Sequence, residues 1–188
     1  MKKGIPHGTC IIMIREGKKI YLGSDMNVCR GATVVNTSFP KIMDVGPLTI
    51  AVCGTVRLLQ LCQFGLDPTS YIGLDEDKVL PQLSEDLFEL WSARKNTDED
   101  NIYGSVLVIN NRKPYEISVP DLSYIPIDTK YYAMGSGEDV ALGSLYETNQ
   151  FDMEPEERIK SAITAANHFD HRIGKKVYMK VIDGGKRK

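Results

Sequence analysis

Cysteine is scarce in this 188-residue chain, and none of its four cysteines forms a close CxxC pair. Cys10, Cys29, Cys53 and Cys62 each lie in or beside an apolar run, where a thiol packs as a small hydrophobe. That usage points to a reducing compartment, and a cytoplasmic protein is expected. No stretch approaches the roughly 18 apolar residues of a membrane span. The start, Met1-Lys2-Lys3-Gly4-Ile5-Pro6-His7, has two positive charges and no apolar run behind them, so it does not read as a secretory leader. An excess of one charge is missing as well: the net charge is -2, which favours neither nucleic acid nor an anionic membrane surface as partner. Lys186-Arg187-Lys188 after Gly184-Gly185 reads as a solvated tail. No repeat, low-complexity block or Pro/Ser-rich linker divides the sequence, and no phosphate-binding glycine loop or nucleotide fingerprint occurs. His7, His168 and His171 include a helix-end pair without a third ligand, which reads as a polar helix terminus more than as a metal site. Neither cofactor nor metal is expected.

What remains is 42% hydrophobic and 26% charged residues, enough for one domain with a continuous core. Thr9 to Arg15 reads as a strand, Glu16-Gly17-Lys18-Lys19 as a turn, and Ile20 to Ser24 as the returning strand. Ala32 to Thr37 and Leu48 to Cys53 are further strand-like runs. A mostly buried helix opens at Gly54-Thr55 with Val56, Leu58, Leu59, Leu61, Cys62 and Phe64 as its apolar positions. Leu83, Leu87, Leu90, Trp91 and Ala93 mark one face of a second helix, with Glu85, Asp86, Glu89 and Arg94 on its polar side. Gly104 to Asn110 and Pro114 to Val119 form a strand pair around Asn111-Arg112-Lys113. Lys130 to Met134 is a strand ending at Gly135-Ser136-Gly137, and Glu138 to Tyr146 turns helical. The clearest helix starts near Pro155, with Glu154, Glu156 and Glu157 complementing its dipole and Ile159, Ala162, Ile163, Ala166 and Phe169 as its stripe. Lys176 to Ile182 closes the chain as a strand. Hairpins separated by helix pairs suggest an α+β fold with antiparallel sheets, and the expected architecture is a four-layer αββα sandwich of two stacked sheets.

Three positions near the front make sense together. Thr9 begins a strand after Gly8, Asp25 follows the second strand, and Lys41 lies after a later one. Separately they are ordinary: a threonine with β-propensity, a turn or cap aspartate, a solvated lysine. Asp25 and Lys41 stand 16 and 32 residues beyond Thr9. With Gly8 before the threonine and Gly31 between the two partners, this pattern resembles the proteasome β-subunit family and its simpler bacterial ring-protease relatives. The likeness continues through Ala51-Val52-Cys53-Gly54-Thr55, through Gly135-Ser136-Gly137 with Ala141, Gly143 and Leu145, and through the Ile159 to Phe169 helix and Asp170. It covers nearly the whole chain from Gly8 to Asp183.

The resemblance implies that residues 1–8 are a propeptide and that 9–188 form a single N-terminal-nucleophile hydrolase domain. A hydroxyl is a weak nucleophile until a base takes its proton, and a freed α-amine, with a pKa of roughly 7.7–8.0, is such a base. Thr9 would be the nucleophile, Lys41 would favour the neutral amine and the developing alkoxide, and Asp25 would hold Lys41 charged and oriented. The Gly54 N–H would stabilise the tetrahedral oxyanion, although that glycine reads equally as a tight strand-to-helix turn. Ser136 and Asp170 would support the threonine amine and hydroxyl; alone they read as a turn serine and a helix-terminal cap. Where the family often has a serine three residues after the aspartate, this chain has Ile173, so the Asp170 network would lose a hydroxyl. Cys29 stands where a threonine is common. The family further implies a polypeptide substrate, a homo-oligomeric ring and an ATPase unfoldase or activator. Two alternatives stand beside this reading: a non-catalytic ring or scaffold subunit that keeps residues 1–8, and an amidase using Cys10, which would spoil both spacings.

Overall fold

The computed structural model of the protein describes residues 8–31, 33–93, 102–119 and 121–183. Its elements run in the expected order of strands, two helices, strands, two helices, strand. The chain forms two compact units, one from the residues up to Ile42 together with those from Thr129 on, the other Met43–Asp128.

The first unit is built on the hairpin β1 (Ile11–Glu16) and β2 (Lys19–Asp25). The register pairs Glu16 with Lys19 and Ile11 with Ser24, so the turn has two residues, Gly17 and Lys18, with Gly17 at φ 56°. Such a turn requires a left-handed residue to match the strand twist. Short strands β3 (Val28–Arg30) and β4 (Thr33–Asn36) pair with each other beyond the hairpin. From the far end of the chain come β10 (Tyr131–Met134), α3 (Glu138–Thr148), α4 (Pro155–Phe169) and β11 (Val177–Ile182). They complete an antiparallel sheet in the order β10-β1-β2-β11, which places β1 and β2 in its interior.

Cys10, Ile12 and Ile14 lie two residues apart and so share one face of the sheet. They form a buried core with Ala141 and Leu145 of α3, with Ile159, Ala162, Ile163 and Ala166 of α4, and with Ile173. Burying each isoleucine or leucine among them stabilises the fold by about 1.5–3 kcal/mol before chain entropy is charged against it. Arg158 of α4, itself buried, joins the two helices: it donates to Leu145 O at 3.1 Å and lies 5.8 Å from the Tyr131 ring. It thereby shares a carbonyl near the end of α3 that also accepts the Asn149 N–H at 3.0 Å.

The second unit holds the sheet β5-β6-β7-β8-β9. β5 (Ile42–Val45) begins at the unit boundary, followed by β6 (Leu48–Gly54), β7 (Gly104–Asn110), β8 (Lys113–Val119) and β9 (Tyr124–Pro126). Between β6 and β7 lie α1 (Val56–Phe64), a 3-10 turn at Pro68–Tyr71 and α2 (Glu76–Ser92). The β7–β8 turn is Asn111-Arg112, both at positive φ, and Lys113 belongs to the strand.

Several expectations need correction. Phe64 and Phe169, assigned to buried helix stripes, are 75% and 76% exposed; each is the last residue of its helix. Ala93, assigned to the buried face of α2, is its exposed C-cap, and the helix starts at Glu76, before Leu83. Arg94, His7 and the 184–188 tail lie outside the described residues. All four cysteines are free and buried. No described helix is long and apolar enough to cross a membrane.

Candidate active site

Thr9, Asp25, Lys41, Ser136 and Asp170 all belong to the first unit, and the fold brings them together. In the hairpin, Ser24 opposite Ile11 leaves Asp25 opposite Cys10, and the Asp25 N–H donates to Cys10 O at 3.1 Å. The carboxylate of Asp25 therefore lies beside the residue that follows Thr9. It is fully buried and accepts four hydrogen bonds: Cys10 N at 2.9 Å and Lys41 Nζ at 2.6 Å on Oδ1, Asn27 N and Gly174 N at 3.0 Å each on Oδ2. That count fills the lone-pair sites of a carboxylate.

Lys41, just before β5, is 4% exposed. Its ammonium has three protons and three acceptors: Asp25 Oδ1, Thr9 Oγ1 at 3.2 Å and Gly8 O at 3.3 Å. The Thr9 hydroxyl accepts from Lys41 and donates to Gly8 O at 2.8 Å. One cation thus touches both the hydroxyl and the carbonyl preceding it. A positive charge there favours negative charge on either oxygen.

On the other side of Thr9, its N–H donates to Ser136 Oγ at 3.2 Å. The serine's single proton has two acceptors in reach, Thr9 O at 3.4 Å and Asp170 Oδ2 at 3.3 Å. Ser136 sits in the tight turn from β10 into α3. Gly135 before it has φ 100°, and a Cβ there would come within 2.5 Å of Thr9 O; only glycine lets the turn approach Thr9 so closely. Gly137 N then donates to Thr9 O at 3.1 Å.

Asp170 is the C-cap of α4, and its Oδ2 lies 3.3 Å from Ser136 Oγ. Its carboxyl is held below the usual range, chiefly by hydrogen bonds from the Arg172 side chain. Arg172 Nε and Nη2 donate to the two carboxylate oxygens at 2.7 and 2.8 Å, and the Arg172 N–H adds a third bond at 3.1 Å. Sequence reasoning missed Arg172. Its carbonyl accepts from Asn27 Nδ2 at 3.3 Å and Cys29 Sγ at 3.4 Å. Gly8 lies directly on its main chain: a Cβ on Gly8 would meet Arg172 Cβ at 2.3 Å and Arg172 C at 2.4 Å. Ile173, where a serine was noted as missing, is fully buried in the core under α3 and α4, so packing has replaced a hydroxyl.

Cys10 is fully buried and its thiol is pushed up to about 12 by burial and by Asp25, which disfavours the thiolate a cysteine nucleophile needs. Burial likewise raises Cys29. Gly54 lies in the second unit, as the last residue of β6 opposite Gly104. Its φ of 118° and the 2.2 Å approach of Tyr103 O to a Cβ placed there explain why it is glycine. Thr55, whose Oγ1 accepts from Leu58 N at 3.3 Å, is the cap of α1. No cluster that could hold a metal ion occurs among the described residues.

No protein-family model and no curated protein sequence matches the chain. Solved structures do. The chain matches Thiobacillus denitrificans BPH, both alone and in complex with epoxomicin. In each case the TM-score is 0.74 and the identity 19%, over 94% of this chain and 99% of that one. It also matches eukaryotic HslV from Trypanosoma brucei, with a TM-score of 0.66 and 19% identity over 93% of this chain and 99% of that one. The mixed α/β fold, with antiparallel sheets and four helices among the described residues, is therefore that of the BPH and HslV structures, as the residues from Gly8 to Asp183 led us to expect.

Proposed function

We propose that this chain is a threonine-type endopeptidase subunit that cuts its own Gly8–Thr9 bond and then hydrolyses polypeptide. The observation that carries this reading is the Lys41 ammonium, which reaches Asp25, Thr9 Oγ1 and Gly8 O at once. The fold shared with BPH, one of whose structures holds epoxomicin, and with HslV supports it.

In the self-cleavage, Thr9 Oγ1 attacks the Gly8 carbonyl carbon while its proton passes to water. The carbonyl oxygen becomes an oxyanion beside Lys41. Collapse breaks the C–N bond, the nitrogen takes up a proton, and an ester joins Gly8 to Thr9 Oγ1 until water hydrolyses it to a carboxylate and the free hydroxyl. The nitrogen is now an α-amine beside Ser136 and serves as the base that an amide could not be. In turnover it takes the Oγ1 proton as the hydroxyl attacks a peptide carbonyl, then gives it to the departing amine, leaving an acyl ester for water. The Gly54 N–H is the proposed oxyanion donor. Assembly of copies into a ring, supply of unfolded polypeptide by an ATPase and a cytoplasmic location belong to the same reading.

Intact mass of the purified wild type tests it. Loss of residues 1–8, abolished by Thr9→Ala, together with hydrolysis of fluorogenic peptides is the expected result. An uncut wild type that hydrolyses no peptide would overturn it in favour of a non-catalytic scaffold subunit. A purely monomeric species on sizing would count against the ring.

A further inference from the structure

We propose that Arg172 is a positioning residue that cancels the charge of Asp170 and so keeps the freed Thr9 amine neutral and able to act as base. This rests on the reading of Thr9 as an N-terminal nucleophile.

The Asp170 carboxylate is one hydroxyl away from the nitrogen: Thr9 N is 3.2 Å from Ser136 Oγ, which is 3.3 Å from Asp170 Oδ2. An uncompensated carboxylate there would favour the ammonium form, and an ammonium has no lone pair to receive the Oγ1 proton. Arg172 chelates that carboxylate through Nε and Nη2, with a group that stays charged at every pH the fold survives. The chelation is built in. The Arg172 carbonyl is tied to Asn27 and Cys29, its N–H bonds the same carboxylate, and its main chain rests against Gly8. Ile173 has turned into the core, so guanidinium donors serve Asp170 where a serine hydroxyl is absent.

Other charged or titratable groups surround Thr9. Asp25 at the end of β2 and Lys41 before β5 are paired with each other. The thiols of Cys10 and of Cys29 on β3 are raised and so stay neutral near pH 7. Glu138 in the first turn of α3 acts on neighbouring Cys10, and His171 lines a cavity of about 480 Å³ with Ser136, Asp170 and Arg172. Among these, Asp170 is the carboxylate bridged to the nitrogen through Ser136, and Arg172 is the cation that chelates it.

The test is the pH profile of kcat/KM for peptide hydrolysis by wild type, Arg172→Gln and Arg172→Lys, because its acid limb reports the base of the free enzyme. In Arg172→Gln the limb moves upward by about 0.3 to about 1.5 units, the effect of removing a unit charge that lies one hydrogen bond beyond Asp170, roughly 8–10 Å from the nitrogen, in media between water and protein. Activity above the limb returns to within roughly threefold of wild type, and Arg172→Lys, which keeps the charge without the two-pronged grip, has its limb between those of wild type and Arg172→Gln. An unshifted limb in Arg172→Gln, or a rate lowered equally at all pH, overturns the proposal, since a merely structural role would give the latter. Should Arg172→Gln fail to fold or process, pH-dependent labelling of the wild-type α-amine decides. An apparent pKa at or below the ordinary range of about 7.7–8.0 supports the proposal, and one above that range overturns it. An uncut, inactive wild type brings down the peptidase reading as well, whereas an active wild type with an unmoved variant limb removes this inference alone.

Discussion

Asp25 and Asp170 each approach Thr9 through one intermediary, yet they are held in opposite ways. Asp25 has no exposed surface, and three of its four donors are main-chain N–H groups. Asp170 sits at a helix end, 16% exposed in its side chain, with a neighbouring arginine as its counter-ion. Main-chain donors hold the first in place on both of its oxygens. The charge of the second is offset by one replaceable residue. Fixed structure thus surrounds the lysine side of Thr9, and the adjustable element lies on the nitrogen side.

The comparison breaks most completely at Lys41. Lys41→Met removes the cation shared by hydroxyl and carbonyl, and we expect processing and hydrolysis to fall by about 10²–10³-fold or more while circular dichroism reports an intact fold. An unchanged hydrolysis rate would refute the role. Next comes the difference between the aspartates themselves. Asp25→Asn faces three main-chain donors and Lys41 with an amide, and should lose about 3–5 kcal/mol in denaturant unfolding. Asp170→Asn, at a partly exposed pair, should lose about 1 kcal/mol or less. Equal losses would erase the distinction. Gly8→Ala sharpens it from the chain side: the new methyl overlaps the Arg172 main chain, at an overpacking cost of about 1–3 kcal/mol, and processing followed by mass should slow.

The smallest effect is in acid. The Asp170 carboxyl is lowered in the folded protein, so its contribution is complete above the unfolded carboxylate value of about 3.9 and is lost as pH falls through the lower folded value. The stability gap between wild type and Arg172→Gln, a few tenths of a kcal/mol to about 1 kcal/mol for such a pair, should be constant from about pH 5 upward and close below it. A gap that widened toward acid would contradict the sign.

Much of this was legible because a hairpin converts sequence distance into contact. Once the turn at Gly17-Lys18 sets the register, Asp25 must stand opposite Cys10, and alternation puts Cys10, Ile12 and Ile14 on one face. Lys41 was legible only through its spacing from Thr9, since nothing periodic marks it. Arg172 was not legible, because a bidentate pair two residues apart has no pattern signal. The strands β3, β5 and β9 escaped notice for another reason: three or four residues are too few to show a period, and β9 is exposed throughout. Pro81 lies inside α2, and a residue without an N–H conceals the helix's first turns from a reading based on periodicity. The exposed Phe64 and Phe169 show the converse, an apolar period that outlasts the burial it usually signals.

New chain ends ordinarily fray, because few contacts hold them. Here an end made at Thr9 would lead straight into an interior strand: Thr9 O is held by Gly137, Cys10 O by Asp25, and β1 has a partner strand on both sides. A freed amine would consequently inherit an address that the sheet already maintains, and cutting the chain would change its chemistry without loosening its position.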